Sequence, residues 1–366
     1  MINLPLATST WGKEEIDAIK NVIKQKKFTM GPMVKKFEYN FAKFFGSKFA
    51  IMTSSGSTAN LLMVASLFMK KNLDLRKGDE VIVPAVSWST TYFPFHQYGL
   101  KLVFVDIDKK NLNISINKLK KAITKKTKII CAVNLLGNSN NFTQIKKIAK
   151  KNKIILLEDN CESMGAKFKE KFTGTIGLMG TFSTFFSHHI STMEGGVIFT
   201  NNKELYHILL SLRAHGWTRD LPKENLITGK KSSDDFYESF NFVLPGYNVR
   251  PLEISGAVGI IQLKKLKSFI KARRENAMYF KSLFSNHSFV ETQEECGESS
   301  WFGFSLLIKK NSKFNRKAII ELLKKNKVEV RPIVTGNFLK QPALKYINYK
   351  ISGNVNDADY IDKNGI

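Results

Sequence analysis

Short apolar runs alternate with helically spaced segments through the first two-thirds of the chain. Lys48–Thr53, Glu80–Pro84, Leu102–Asp106, Ile129–Val133 and Ile154–Asp159 read as strands. Between them Gly56–Lys70, Ile116–Ile123 and Phe142–Lys151 carry apolar residues at helical spacing. Strands that are apolar throughout are buried on both faces. Their alternation with helices predicts an α/β architecture with a mainly parallel sheet covered by helices on both sides. Functional side chains then belong just beyond the carboxyl ends of the strands. Ser54–Thr58, Trp88, Asp159 and Ser183 fall at or near such ends.

The pattern changes at Leu244-Pro245-Gly246-Tyr247-Asn248. A long helical stretch follows, roughly Pro251–Ser282, and then a smaller α+β unit. That unit has strand-like Phe302–Ile308, helical Arg316–Asn326 and strand-like Val328–Pro332. The boundary is placed near residue 250, giving a large domain 1–250 and a small domain 251–366. Thr218–Asp235 is polar, with Gly, Pro and Ser, and reads as a loop.

Composition narrows the class. With 43% hydrophobic and 24% charged residues over 366, the chain is of ordinary globular type. No apolar run is long enough to span a bilayer, and Met1–Pro5 has no signal-peptide pattern, so a cytoplasmic location is expected. Cys131, Cys161 and Cys296 are scattered and odd in number, which argues against a disulfide framework. The net charge of +26 raises nucleic-acid binding as a reading, but the lysines are spread along the whole chain. Such a field would still draw a small anionic substrate.

Several residues carry candidate chemistry. Asp159 ends an apolar strand; a carboxylate there suits a helix N-cap or the pairing of a protonated ring nitrogen. Ser54-Ser55-Gly56-Ser57-Thr58 joins a strand to a helix, where small residues and free N–H groups suit either a cap or a phosphate. Trp88 follows a strand, as a core residue or a stacking surface. Gly246-Tyr247-Asn248-Val249-Arg250-Pro251 suits a domain-linking turn. His215 and Arg219 are candidates for substrate contact, the guanidinium for a phosphate or carboxylate. No histidine has further ligands at metal spacing.

The most informative run is Ser183-Thr184-Phe185-Phe186-Ser187-His188-His189-Ile190-Ser191-Thr192-Met193-Glu194-Gly195-Gly196. It resembles the active-site segment of the DegT-type sugar aminotransferases that use pyridoxal phosphate (PLP). In that family a lysine stands at the position of His188 and bonds covalently to the cofactor. Imidazole moves protons but cannot make that bond. The swap marks the branch this chain resembles, the PLP-dependent nucleotide-sugar 3-dehydratases. His189 would point to the opposite side, in a supporting role. The similarity runs from about Leu6 onward and includes Thr29–Pro32, Asn134–Asn138 and Arg331–Phe338.

The resemblance implies a PLP-dependent transferase fold of type I, with a seven-stranded, mainly parallel sheet in the large domain. It implies His188 as the catalytic acid–base group. Asp159 would pair the pyridine nitrogen, and Trp88 would stack on the ring. Gly56, Ser57, Thr58 and Ser183 would hold the phosphate. Glu162 stands where relatives often have Gln or His facing the cofactor hydroxyl. Asn248 would act from a partner subunit in a homodimer with shared sites. Substrate contacts would include His215, Arg219, Arg250 and Arg331. The expected cofactor is PLP, cycling with pyridoxamine phosphate (PMP), with glutamate as donor. The tract Pro84–Thr91 favours a GDP-linked 4-keto-6-deoxymannose as the sugar that loses its C3 hydroxyl, toward a dideoxysugar of lipopolysaccharide O-antigen. A sister group uses an iron–sulfur cluster, but three isolated cysteines cannot supply four thiolates. The resemblance also implies further residues beyond Ile366. The rival readings are an aminotransferase with an unusual base and a catalytically silent nucleotide-sugar binder.

Overall fold

The structure is a computed structural model that describes residues 3–366. Met1 and Ile2, part of the stretch searched for a signal peptide, lie outside the described residues. The chain forms two compact units, each assembled from separated stretches. Among the described residues, one comprises 3–9, 77–173 and 267–366; the other comprises 10–76 and 174–266. Among the described residues no helix is long and apolar enough to cross a membrane.

The first unit is built on five parallel strands. Their order is Ile155–Asp159, Thr127–Val133, Glu80–Pro84, Lys101–Val105 and Tyr349–Ile351. Val81, Ile82, Val83, Leu102, Val103, Ile129 and Ile130 are fully buried, as apolar runs in a parallel sheet require. Tyr349–Ile351 lies outside the seven strands expected and pairs in parallel with Leu102–Phe104. Of the strand-like stretch Phe302–Ile308 only Leu306–Ile308 is a strand, paired with Val290–Thr292. Val328–Pro332 is not a strand; it makes a single bridge from Val328 to Leu4.

The second unit carries three antiparallel strands, with Gly196–Thr200 between Phe49–Thr53 and Met179–Ser183. Thr53, Gly196 and Ser183 stand in one register row at the end of this sheet. Phe41 of the helix Pro32–Phe45 packs on the sheet through Phe182 and Phe199, with ring centroids 5.7 and 5.1 Å away. The helix Gly56–Met69 is buried along most of its length and is tied to the sheet by the Thr181 hydroxyl, which donates to Asn60 Oδ1 at 2.6 Å. The long helix Glu253–Phe284, of which residues 253–266 belong to this unit, matches its expected span closely. The expected loop Thr218–Asp235 holds a two-residue hairpin, Glu224–Asn225 with Gly229–Lys230, and leads into the short helix Asp235–Glu238.

Candidate active site

The expected site residues fall in both units. In the first, Asp159 closes the strand Ile155–Asp159 opposite Val133 and is only 4% exposed. Both of its oxygens accept hydrogen bonds: Oδ1 from the Cys161 N–H at 3.1 Å, Oδ2 from the Thr91 hydroxyl at 2.7 Å. Thr91 sits in the first turn of the helix Ser89–Gln97, whose N-cap is Trp88. Trp88 is 57% exposed, so its indole face is available for stacking rather than used in the core.

Beneath Asp159 a buried amide network joins two strand ends. The Asn134 side chain donates to Asn160 Oδ1 at 2.9 Å and accepts from the Asn140 side chain at 3.0 Å. The Ser163 hydroxyl donates to the Asn134 carbonyl at 2.5 Å, and the Asn134 N–H donates to the Asp159 carbonyl at 3.0 Å. These bonds tie the two strand ends together and so help to fix the aim of Asp159, although Asn140 Oδ1 is buried without a partner among the described residues.

Glu162 follows on the same turn. Its Oε2 accepts from the Leu136 N–H at 3.0 Å. Burial of the carboxyl group pushes its pKa up to about 7. The Leu136 hydrogen bond and the Arg331 charge pull it down, while the Asp159 charge adds to the rise. Arg331 itself is exposed.

In the second unit Ser55 caps the helix Gly56–Met69. Its hydroxyl accepts from the Thr58 N–H at 3.1 Å, and Thr58 Oγ1 accepts from the Ser55 N–H at 2.9 Å. The capping reading of this loop therefore holds, while Ser57 at its tip is exposed. Gly196 packs against the loop: a β-carbon there would lie 2.1 Å from the Ser55 carbonyl oxygen. Only glycine permits that approach, which brings the loop over the sheet end where Ser183 stands.

His188 lies on the loop between Ser183 and Gly196. The loop is pinned by the Thr184 and Thr192 hydroxyls at 2.6 Å and by the Thr192 N–H to the Thr184 carbonyl at 2.9 Å. The His188 N–H donates to the Phe185 carbonyl at 2.9 Å, and the two rings meet edge-on. His188 is partly exposed, whereas His189 is 1% exposed.

A second cluster in this unit gathers His215, Arg219, Asn248 and Arg250. The Arg219 guanidinium lies 4.2 Å over the Trp217 ring, and that of Arg250 lies 5.8 Å away. Arg250 Nε donates to Asn248 Oδ1 at 3.0 Å. His215, at φ 61°, donates its N–H to the Tyr247 carbonyl at 2.7 Å. The Ser54 N–H donates to the Val249 carbonyl at 3.0 Å, placing this segment beside the start of the capping loop. Asn248 itself is exposed.

Residues 9–366 match the DegT/DnrJ/EryC1/StrS aminotransferase family. The chain belongs to that family. It is 62% identical over its whole length to GDP-4-keto-6-deoxy-D-mannose 3-dehydratase of Yersinia pseudotuberculosis, covering 93% of that protein. It is similar, at TM-score 0.98 and 62% identity, to the structure of the E. coli GDP-4-keto-6-deoxy-D-mannose-3-dehydratase with bound hydrated PLP, covering 100% of this chain and 94% of that one. Another similar structure is a GDP-4-keto-6-deoxymannose-3-dehydratase with a trapped PLP-glutamate geminal diamine, again at TM-score 0.98 and 62% identity, covering 99% of this chain and 94% of that one.

Sequence reasoning named Trp88, Asp159, Glu162 and His188 but not Thr91 and Leu136, which hydrogen-bond to Asp159 and Glu162. Thr91 lies three positions after Trp88, on the same helix face, which was a usable signal. Leu136 acts through its backbone N–H, which its side chain does not announce.

Proposed function

We propose that the chain is a PLP/PMP-dependent dehydratase that removes the C3 hydroxyl of a nucleotide-linked 4-keto-6-deoxyhexose. GDP-4-keto-6-deoxymannose is the favoured substrate and glutamate the amino donor. The observation that carries this reading is His188 in the place of the family's lysine, in a chain 62% identical throughout to such a dehydratase.

The residues present fit the cofactor. A buried carboxylate with fixed orientation, Asp159, suits a pyridinium nitrogen, and the Ser55–Thr58 loop held over Gly196 suits a phosphate. When bound, the cofactor supplies an electron sink and, in its amine form, the amino group that condenses with the C4 ketone. Asp159 keeps the ring nitrogen protonated. Trp88 stacks on the ring. With its pKa raised to about 7, Glu162 holds a proton part of the time near neutrality and can then donate it to the cofactor hydroxyl. This accounts for an acid at that position. His188 takes a proton from the cofactor's C4′ carbon and, as imidazolium, gives one to the C3 hydroxyl oxygen as it leaves. Gly56, Ser57, Thr58 and Ser183 hold the phosphate. His215, Arg219, Arg250 and Arg331 hold the substrate's anionic groups.

The same reading makes the protein a cytoplasmic homodimer, with Asn248 of each subunit serving the other's phosphate loop. It keeps a large cofactor-binding domain, 1–250, and a smaller one, 251–366. Electrons come from the donor: each turnover converts one glutamate to its 2-oxoacid and releases one ammonia.

The test is incubation with PLP, glutamate and GDP-4-keto-6-deoxymannose. The cofactor spectrum should pass from aldehyde to amine form, and ammonia should match the 2-oxoacid formed and the sugar deoxygenated. Nitrogen retained on the sugar would mark an aminotransferase instead. A requirement for iron and a reductase would overturn the donor.

A further inference from the structure

A hydroxyl line runs from Ser87 through Thr91 to Asp159. Ser87 and Thr91 oxygens are 2.8 Å apart, and Thr91 Oγ1 is 2.7 Å from Asp159 Oδ2. The three residues are 1%, 2% and 4% exposed. Proton counting fixes the direction. An ionised carboxylate only accepts, so Thr91 donates to it, and Ser87 then donates to Thr91.

Thr91 makes an unusual choice. A threonine in a helix can turn its hydroxyl to the carbonyl four residues back. For Thr91 that carbonyl belongs to Ser87, and it already accepts from the Thr335 hydroxyl at 2.8 Å. Ser87 precedes the N-cap Trp88, so its carbonyl stands outside the helix, and the Thr91 proton goes to a strand end 68 positions away in sequence. Oδ1 of the same carboxylate is held separately by the Cys161 N–H.

We propose that Thr91 is a positioning residue for the reaction: with Ser87 and Thr335 it commits one proton to Oδ2 of Asp159, holds the carboxylate plane, and thereby sets how firmly the pyridine nitrogen stays protonated. The inference rests on Asp159 being the partner of that nitrogen. Removing the donor frees the carboxylate to turn, and a carboxylate that is not aimed holds the pyridinium proton less well.

The experiment uses the whole chain with PLP labelled with nitrogen-15 in the ring. Nitrogen protonation is followed by NMR against pH, and PLP affinity by titration. Thr91→Val should lower the pH at which the nitrogen loses its proton by about one unit and weaken PLP binding about tenfold, the low end for a hydrogen bond to a charged group. Thr91→Ser should restore both. Thr335→Val removes the donor that holds the Ser87 carbonyl, loosens the Ser87 end of the hydroxyl line and should shift the nitrogen in the same direction by less, which keeps the test open if Thr91→Val folds poorly. Asp159→Asn is the control. If it moves the nitrogen titration while Thr91→Val and Thr335→Val leave it within twofold of wild type, or raise it, the role of Thr91 is overturned and that of Asp159 stands. If Asp159→Asn leaves the nitrogen unchanged, Asp159 is not its partner and both ideas fall.

Discussion

The backbone N–H of Leu136 reaches Oε2 of Glu162 at 3.0 Å, and Leu136 itself adopts a left-handed conformation, φ 53° and ψ 33°. A leucine held there is strained, and its backbone donor meets a carboxyl group that burial would otherwise leave costly to ionise.

That carboxyl group gives a pH dependence with a definite sign. Its pKa is raised from 4.5 to about 7 in the folded chain. Between those values the folded state binds more protons than the unfolded one, so stability falls as pH rises through the window. The cofactor-free protein should lose on the order of 1–3 kcal/mol between pH 5 and 8 from this group. Glu162→Gln should remove that part of the dependence in denaturant titrations at the two pH values. Equal slopes in both proteins would show that Glu162 titrates normally.

His188→Asn should bind PLP and lose activity by at least about 100-fold, since asparagine fills the position without exchanging a proton. His188→Lys should tether the cofactor. After borohydride reduction its mass should rise by one reduced cofactor, while the wild-type polypeptide mass stays unchanged. A labelled lysine in the wild-type protein would remove His188 from its role.

Gly196→Ala should both destabilise the fold and loosen the phosphate loop. The new methyl group would sit 2.1 Å from the Ser55 carbonyl oxygen, so backbone must move. A cost of about 1–3 kcal/mol and a weaker PLP affinity are expected. Wild-type melting and affinity together would mean that the loop yields freely.

Subunit mixing decides how Asn248 works. Its segment lies beside the Ser54 loop of its own chain, through the Val249 carbonyl, yet its side chain is exposed. If it serves a partner, inactive His188→Asn and Asn248→Ala subunits mixed equally should recover about a quarter of wild-type activity, from the one intact site in each hybrid. No recovery at any ratio would place Asn248 in its own subunit's site.

What could be read beforehand follows from local physics. The strands Glu80–Pro84 and Thr127–Val133 were legible because both faces are buried, which leaves an unbroken apolar run. Tyr349–Ile351 was not, because an edge strand of three residues alternating exposed and half-buried carries no such run. Val328–Pro332 looked like a strand from composition, yet only Leu4 bridges it. His188 was singled out by a motif, and Asp159 only by that motif together with its place after an apolar strand, since the strand pattern alone equally suits a helix cap. The asparagines at 134, 140 and 160 were invisible as a network, since each alone signals only a turn. Thr91 lay in view within the Trp88 tract, but its purpose depends on a carboxylate that only the folded chain brings near.

The late strand Tyr349–Ile351 has a consequence for how the protein is made. It pairs with Leu102–Phe104, so that edge of the sheet stays open until nearly 250 further residues have been synthesised. At ribosomal speeds this is roughly 12–50 seconds during which the apolar rim of Lys101–Val105 is exposed on a nascent chain. An unpaired parallel edge invites other chains. Production of this protein should therefore be limited by aggregation before release from the ribosome rather than by the stability of the finished fold, and slower growth temperatures or chaperone supply should raise its soluble yield more than stabilising substitutions in its core.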